Sequence, residues 1–151
     1  MARPTQIGLS GGWSLRQAAR ITGVAASTVA AVRSTPPLSE GDITDGDLLS
    51  LKLLSVIDGF RDDALWGAVP EQVAEVRAKE IHRAAQAVWA SRSDAAVLLV
   101  SRASCWLALT VEDRTAVLDE HAGEAVVILP AGGWAREMRN MIEAARAGIT
   151  K

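Results

Sequence analysis

Residues 14–34 read SLRQAARITGVAASTVAAVRS, and their spacing decides how the N-terminal half is built. Ser14, followed three residues later by Gln17, forms a capping box in which hydroxyl and amide reach reciprocally for free backbone N–H groups. A short helix follows to about Ile21 and breaks at Thr22-Gly23; a second runs from about Ala26 to Arg33. Gly23 stands where a left-handed conformation is needed, which costs glycine little and a residue with a β-carbon about 1 kcal/mol or more. Ala19 is small because the second helix crosses over it. Val24, Val29 and Val32 form an inward face, leaving Ala26, Ser27, Ala30, Ala31 and Ser34 outward. The pattern is that of a helix-turn-helix; a plain helical hairpin with a glycine turn is the alternative.

Outward from this stretch, residues 1–12 read as a flexible arm ending in Gly11-Gly12. Downstream, the segment from Ser34 to Gly41 contains Pro36-Pro37 and must be a loop. Thr44 and Asp47 give a second capping signal, and Leu48, Leu51 and Leu54 mark a third helix closing near Gly59. Pro70 is placed as the first residue of a long helix to about Ser91, with an apolar stripe of Val73, Val76, Ile81, Ala84, Val88 and Trp89. The chain changes character at Ser91–Asp94. Residues 95–100 and 104–109 read as strands joined by a turn at Arg102-Ala103, and Thr110 to Asp113 cap a helix to about Glu120. Residues 125–129 form a third strand, Ala131-Gly132-Gly133 a turn, and Trp134 to Ala147 a terminal amphipathic helix. The expected fold class is α+β: an all-helical helix-turn-helix domain over 13–93, long connecting helix included, then a small ββαβα domain over 94–151.

The chain has 151 residues, 49% of them hydrophobic, so it can bury a core. Its net charge of −2 is that of neither a basic nucleic-acid coat nor an acidic tail. The charge is segregated, however. Met1 to Ser34 carries Arg3, Arg16, Arg20 and Arg33 and no acid, whereas Thr35 to Phe60 sets Lys52 against Glu40, Asp42, Asp45, Asp47 and Asp58. A local positive segment suits a protein that touches phosphate with one face. Cys105 stands alone, which argues against a disulfide framework or a cysteine-based zinc site. With no apolar signal core and no run long enough to span a bilayer, a cytoplasmic location without membrane partners is expected.

The segments WSLRQAARITGVAASTVAAVRS (13–34) and ITDGDLLSLKLLSVIDGF (43–60) together resemble the MerR family of winged-helix regulators. The aromatic-x-Leu opening, Gly23-Val24, Ser27-Thr28-Val29 and the Asp47-Leu48-Leu51 helix ending in Gly59-Phe60 lie in the family's order. The likeness covers roughly a third of the chain. It implies double-stranded DNA as partner, gene regulation, and Arg16, Thr28 and Arg33 as contacts. The family's wing is usually basic; here the corresponding Ser34–Asp42 is acidic and proline-kinked, so the wing is degenerate. Residues 94–151, with their closing apolar strand and helix start AVVILPAGGWAREM (125–138), look like tail domains of MerR-like proteins from high-GC bacteria and their phages.

In standard docking geometry the outward face of the second helix enters the major groove. The expected DNA contacts are therefore Arg16, Arg20, Ala26, Ser27, Thr28, Ala31, Arg33 and Ser34. The alanines offer only apolar contact, so a second surface is weighed, made of the Arg3 arm with Arg102, Arg136 and Arg139. Neither His82 nor His121 has a ligand partner at metal spacing, the acid pairs Asp62-Asp63, Glu112-Asp113 and Asp119-Glu120 read as solvated ends, and the tryptophans read as core or interface anchors. No phosphate loop, nucleophile elbow or paired catalytic acid occurs, so no enzyme, metal or cofactor is expected. The expected function is a DNA-binding repressor, of the phage-immunity kind or a cellular MerR-like regulator, acting by occupying its operator. An excisionase-type architectural factor and an adaptor with a degenerate helix-turn-helix are the alternatives. The sequence leaves monomer and homodimer open.

Overall fold

The computed structural model describes residues 12–34, 38, 42–60, 66 and 68–148. In chain order its elements are α1 (Leu15–Thr22), α2 (Ala26–Arg33), α3 (Asp45–Asp58), α4 (Glu71–Ser91), β1 (Val97–Val100), β2 (Cys105–Ala108), α5 (Val111–Glu120), β3 (Val127–Leu129) and α6 (Ala131–Arg146). The class is α+β, with six helices and a three-stranded antiparallel sheet of order β2-β1-β3 among the described residues. The expectations for the Arg3 arm, Pro36-Pro37 and Asp62-Asp63 lie outside the described residues.

Helix α3 occupies the middle of the molecule. Thr44 and Asp47 close a capping box at its start, and Leu48, Leu49, Leu51 and Leu53 are fully buried. Side chains this apolar on nearly every side require cover on every side. It comes from α1, α2, α4 and α6, all of which pack on α3. Asp47 also ties α3 to α4, since its Oδ1 accepts a hydrogen bond from Gln86 at 3.0 Å. The helix ends at Gly59 as expected, but with φ −65°, so no left-handed glycine closes it.

The expected stripe of α4 is shifted. Val76 is 56% exposed, and Arg77, Ile81, Ala85 and Val88 are buried. Arg77 can sit inside because its guanidinium donates to the carbonyls of Ser101 and Arg102 and lies 4.9 Å from the Trp66 ring. Burial without a carboxylate partner lowers its pKa from the ordinary arginine value. Pro70 takes the position before the first turn instead of the first helical residue.

The sheet alternates as period-2 strands must. Leu98, Val100, Cys105, Leu107, Val127 and Leu129 face the main core, whereas Val97, Leu99, Trp106 and Ala108 face α5. The strands are shorter than expected, since Asp94-Ala95 turn and the Ala96 carbonyl accepts from Gly132 N–H at 2.8 Å. That bond also corrects the reading of Ala131-Gly132-Gly133 as a turn. The three residues are the first turn of α6, because Gly132 lets the helix backbone lie against Ser93–Ala96. A β-carbon on Gly132 would stand 2.2 Å from the Ser93 carbonyl oxygen.

One hydrophobic cluster crosses residue 93. It joins Trp13, Val29 and Leu51 to Leu98, Met138 and Ile142, so the two halves share a core. Among the described residues no helix is long and apolar enough to cross a membrane.

Candidate nucleic-acid interface

Helix α1 begins with both bonds of the Ser14–Gln17 capping box in place and ends at Gly23, φ 75° and ψ 11°, the left-handed conformation expected there. Ala18 is the fully buried small residue of α1, with Ala19 half-buried beside it. The turn is fastened by groups that no local pattern singles out. Thr22 Oγ1 donates to the Ala18 carbonyl at 2.7 Å and accepts from Val24 N–H at 3.2 Å. Lys52 of α3 donates to the Thr22 carbonyl at 3.0 Å, placing a cation at the carbonyl end of α1, and lies 4.8 Å from the Trp134 ring of α6. The angle between α1 and α2 is thus held from both α3 and α6.

Helix α2 buries Val29 completely and half-buries Val32 against the core, with Val24 of the preceding turn half-buried beside them. Ala26, Ser27, Ala31 and Ser34 are exposed, whereas Thr28 and Ala30 are half-buried. Ala25 precedes the helix and supplies no side-chain cap. The first-turn N–H groups of α2 therefore have no side chain to satisfy them and are available to an anion. Ser34 turns its hydroxyl onto the Ala31 carbonyl at 2.9 Å. Arg16 and Arg20 are exposed, one turn apart on α1, and have no hydrogen bond or ion pair among the described residues. Arg33 differs: it is half-buried and its guanidinium donates to the Leu38 carbonyl.

The arginines weighed as a second contact surface are engaged inside the chain. Arg102 lies at the β1–β2 turn, as expected, but donates to the carbonyls of Trp66 at 3.1 Å and Ala68 at 2.6 Å. Arg136 pairs with Asp94 at 3.1 Å. Arg139 donates to the Trp89 carbonyl and lies 4.3 Å from its ring. Burial lowers the Arg139 pKa, nearby Arg92 adds to the shift, and Asp94 opposes it. These guanidiniums hold loops and helix ends, so each is engaged within the chain, unlike Arg16 and Arg20. Arg3 lies outside the described residues.

Both histidines have partners. His82 Nδ1 is 2.8 Å from Ser50 Oγ, and His121 lies 2.7 Å from Glu124 and stacks near Trp106. Among the described residues no three His, Cys, Asp or Glu side chains form a group that could hold a metal. No family model matches the chain, and neither a curated protein nor a solved structure matches it.

Proposed function

We propose that the chain binds double-stranded DNA in the cytoplasm and regulates transcription, as a repressor acting by site occupancy. The α1–turn–α2 unit is read as a helix-turn-helix whose second helix enters the major groove. The observation that carries this reading is the acid-free outer face of α1 and α2. On it, Arg16 and Arg20 have no internal partner among the described residues and α2 presents an N-terminus with no side-chain cap. Free guanidiniums and N–H groups supply phosphate contacts, which position the protein, while Ser27 and Thr28 are left to touch base edges. The resemblance of residues 13–60 to the MerR family supports the same reading. The apolar side of α4 packs on α3, β2 and α6, which favours a monomer on DNA over a dimer built through that helix.

The test is selection from a random duplex pool, followed by titration of the selected site at two salt concentrations and sedimentation of the complex. A competition-resistant complex of one chain per site is expected. Failure to enrich any sequence would overturn the reading. It would favour the adaptor reading, which the alanine-rich outer face of α2 otherwise supports.

A further inference from the structure

A groove of about 250 Å³ lies between α1 and α6. Trp13 and Ile21, 4% and 6% exposed, form its inner surface, and Ala144 and Ala145 line the α6 side. Met141, 39% exposed, stands at its mouth. The polar groups are Gln17, Arg20 and Asn140, and no carboxylate is among the lining residues. Gln17 Oε1 accepts from Ser14 N–H, which leaves the Gln17 amide N–H groups to face a ligand. Arg20 and Asn140 have no internal partner among the described residues. An apolar slot whose spare polar groups are one cation and two amides complements a molecule with a hydrophobic body and an anionic end. The volume falls below the ~300–1,000 Å³ typical of drug-sized ligands, so the body is small.

We propose that this groove binds a small apolar carboxylic acid, its carboxylate paired with Arg20 and its body lying against Trp13 and Met141. A carboxylate on Arg20 occupies a guanidinium that DNA phosphate would otherwise use, so the acid also weakens DNA binding. This second step rests on the DNA-binding reading; the ligand site does not.

The chain carries three methionines, which makes methyl NMR of methionine-labelled full-length protein a direct probe. Titration with 1-naphthoate is expected to shift the Met141 signal saturably. Met138, 2% exposed and on the buried side of the same helix, reports whether α6 stays packed. The neutral 1-naphthamide is expected to bind about tenfold more weakly, as is 1-naphthoate to Arg20→Gln, because each loses a charge-assisted pair. Ala144→Trp, which fills the groove, is expected to abolish the shift. No saturable Met141 shift at millimolar naphthoate would overturn the site. Equal binding of acid and amide, which needs no substitution to measure, would overturn the ligand class, and undiminished binding to a folded Ala144→Trp would overturn the location. In the DNA titration, naphthoate is expected to lower the affinity of the unsubstituted protein and not of Ala144→Trp. An unaffected complex, or no complex at all, overturns the regulatory step while the Met141 titration judges the groove by itself.

Discussion

Arg146, in the last turn of α6, donates to Asp45 Oδ1 in the first turn of α3 at 2.8 Å, across 101 positions of sequence. The same oxygen accepts the indole N–H of Trp13 at 2.8 Å, and the Arg146 guanidinium lies 5.4 Å from the Trp13 ring. One carboxylate therefore gathers the residue before α1, the start of α3 and the end of α6.

Asp45→Ala is expected to cost about 1–3 kcal/mol, because it strands the Trp13 N–H in a part-buried position as well as removing an ion pair. Arg146→Ala removes the ion pair and the guanidinium beside the Trp13 ring but leaves the indole N–H bonded to Asp45. The pair's partners keep 37% and 28% side-chain exposure, so the expected loss is about 1 kcal/mol or less. Urea denaturation followed by tryptophan fluorescence ranks the two, and equal losses would contradict the shared-carboxylate arrangement.

Two neighbouring glycines of α6 are expected to respond in opposite directions. Gly132→Ala drives a β-carbon into the Ser93 carbonyl and is expected to destabilise by about 1–3 kcal/mol. Gly133→Ala meets nothing within 4 Å and is expected to stabilise by about 0.5–1 kcal/mol through the better helix propensity of alanine. Thermal melts of the pair check the placement of the first turn of α6.

Salt dependence separates free arginines from engaged ones. Arg16→Ala and Arg20→Ala are each expected to lower the slope of log affinity against log salt by about one, the signature of a lost phosphate contact. Arg102→Ala, Arg136→Ala and Arg139→Ala are expected to leave that slope unchanged. Arg102→Ala instead lowers stability by about 1 kcal/mol, since its guanidinium holds the Trp66 and Ala68 carbonyls. A slope reduced by Arg102→Ala would show that this side chain leaves its carbonyls for DNA.

Cys105 faces the main core, and burial, with Glu80 adding and Arg77 opposing, pushes its thiol up to about 12. The folded chain therefore keeps a proton that the unfolded chain releases near pH 8.5. The associated stability is complete below that value and is lost as pH rises toward 12, with a slope of at most about 1.4 kcal/mol per pH unit. Cys105→Ala is expected to flatten this alkaline decline in chemical denaturation. Alkylation of the native thiol at pH 8 is expected to be far slower than in urea, because the thiolate is the reactive form.

Local chemistry was legible where the responsible groups lie within a few residues. Ser14 with Gln17, Thr44 with Asp47 and Thr110 with Asp113 mark helix starts because a side chain three positions away meets the free N–H groups. Gly23 marks the turn through backbone sterics, and the alternation in β1 and β2 follows from the pleat. The first turn of α6 was not legible. Gly132 and Gly133 look like a loop until Ser93–Ala96 is brought against Gly132, when the missing side chain at that one position becomes a requirement of packing.

The candidate interface divides in the same way. The outward set on α2 and the acid-free run through Ser34 are properties of the sequence itself, because helical period and formal charge need no partner. Which arginines remain available is decided by the fold. Arg33, Arg102, Arg136 and Arg139 look the same as Arg16 and Arg20 in the chain, and the first four are engaged only because a carbonyl or a carboxylate lies within reach. The shared core, the Arg146–Asp45–Trp13 cluster and the groove beside α1 likewise exist only once distant segments meet. Short-range rules of capping, turn sterics and period wrote the elements; contacts between residues far apart in the chain assigned their side chains to structure or to the surface.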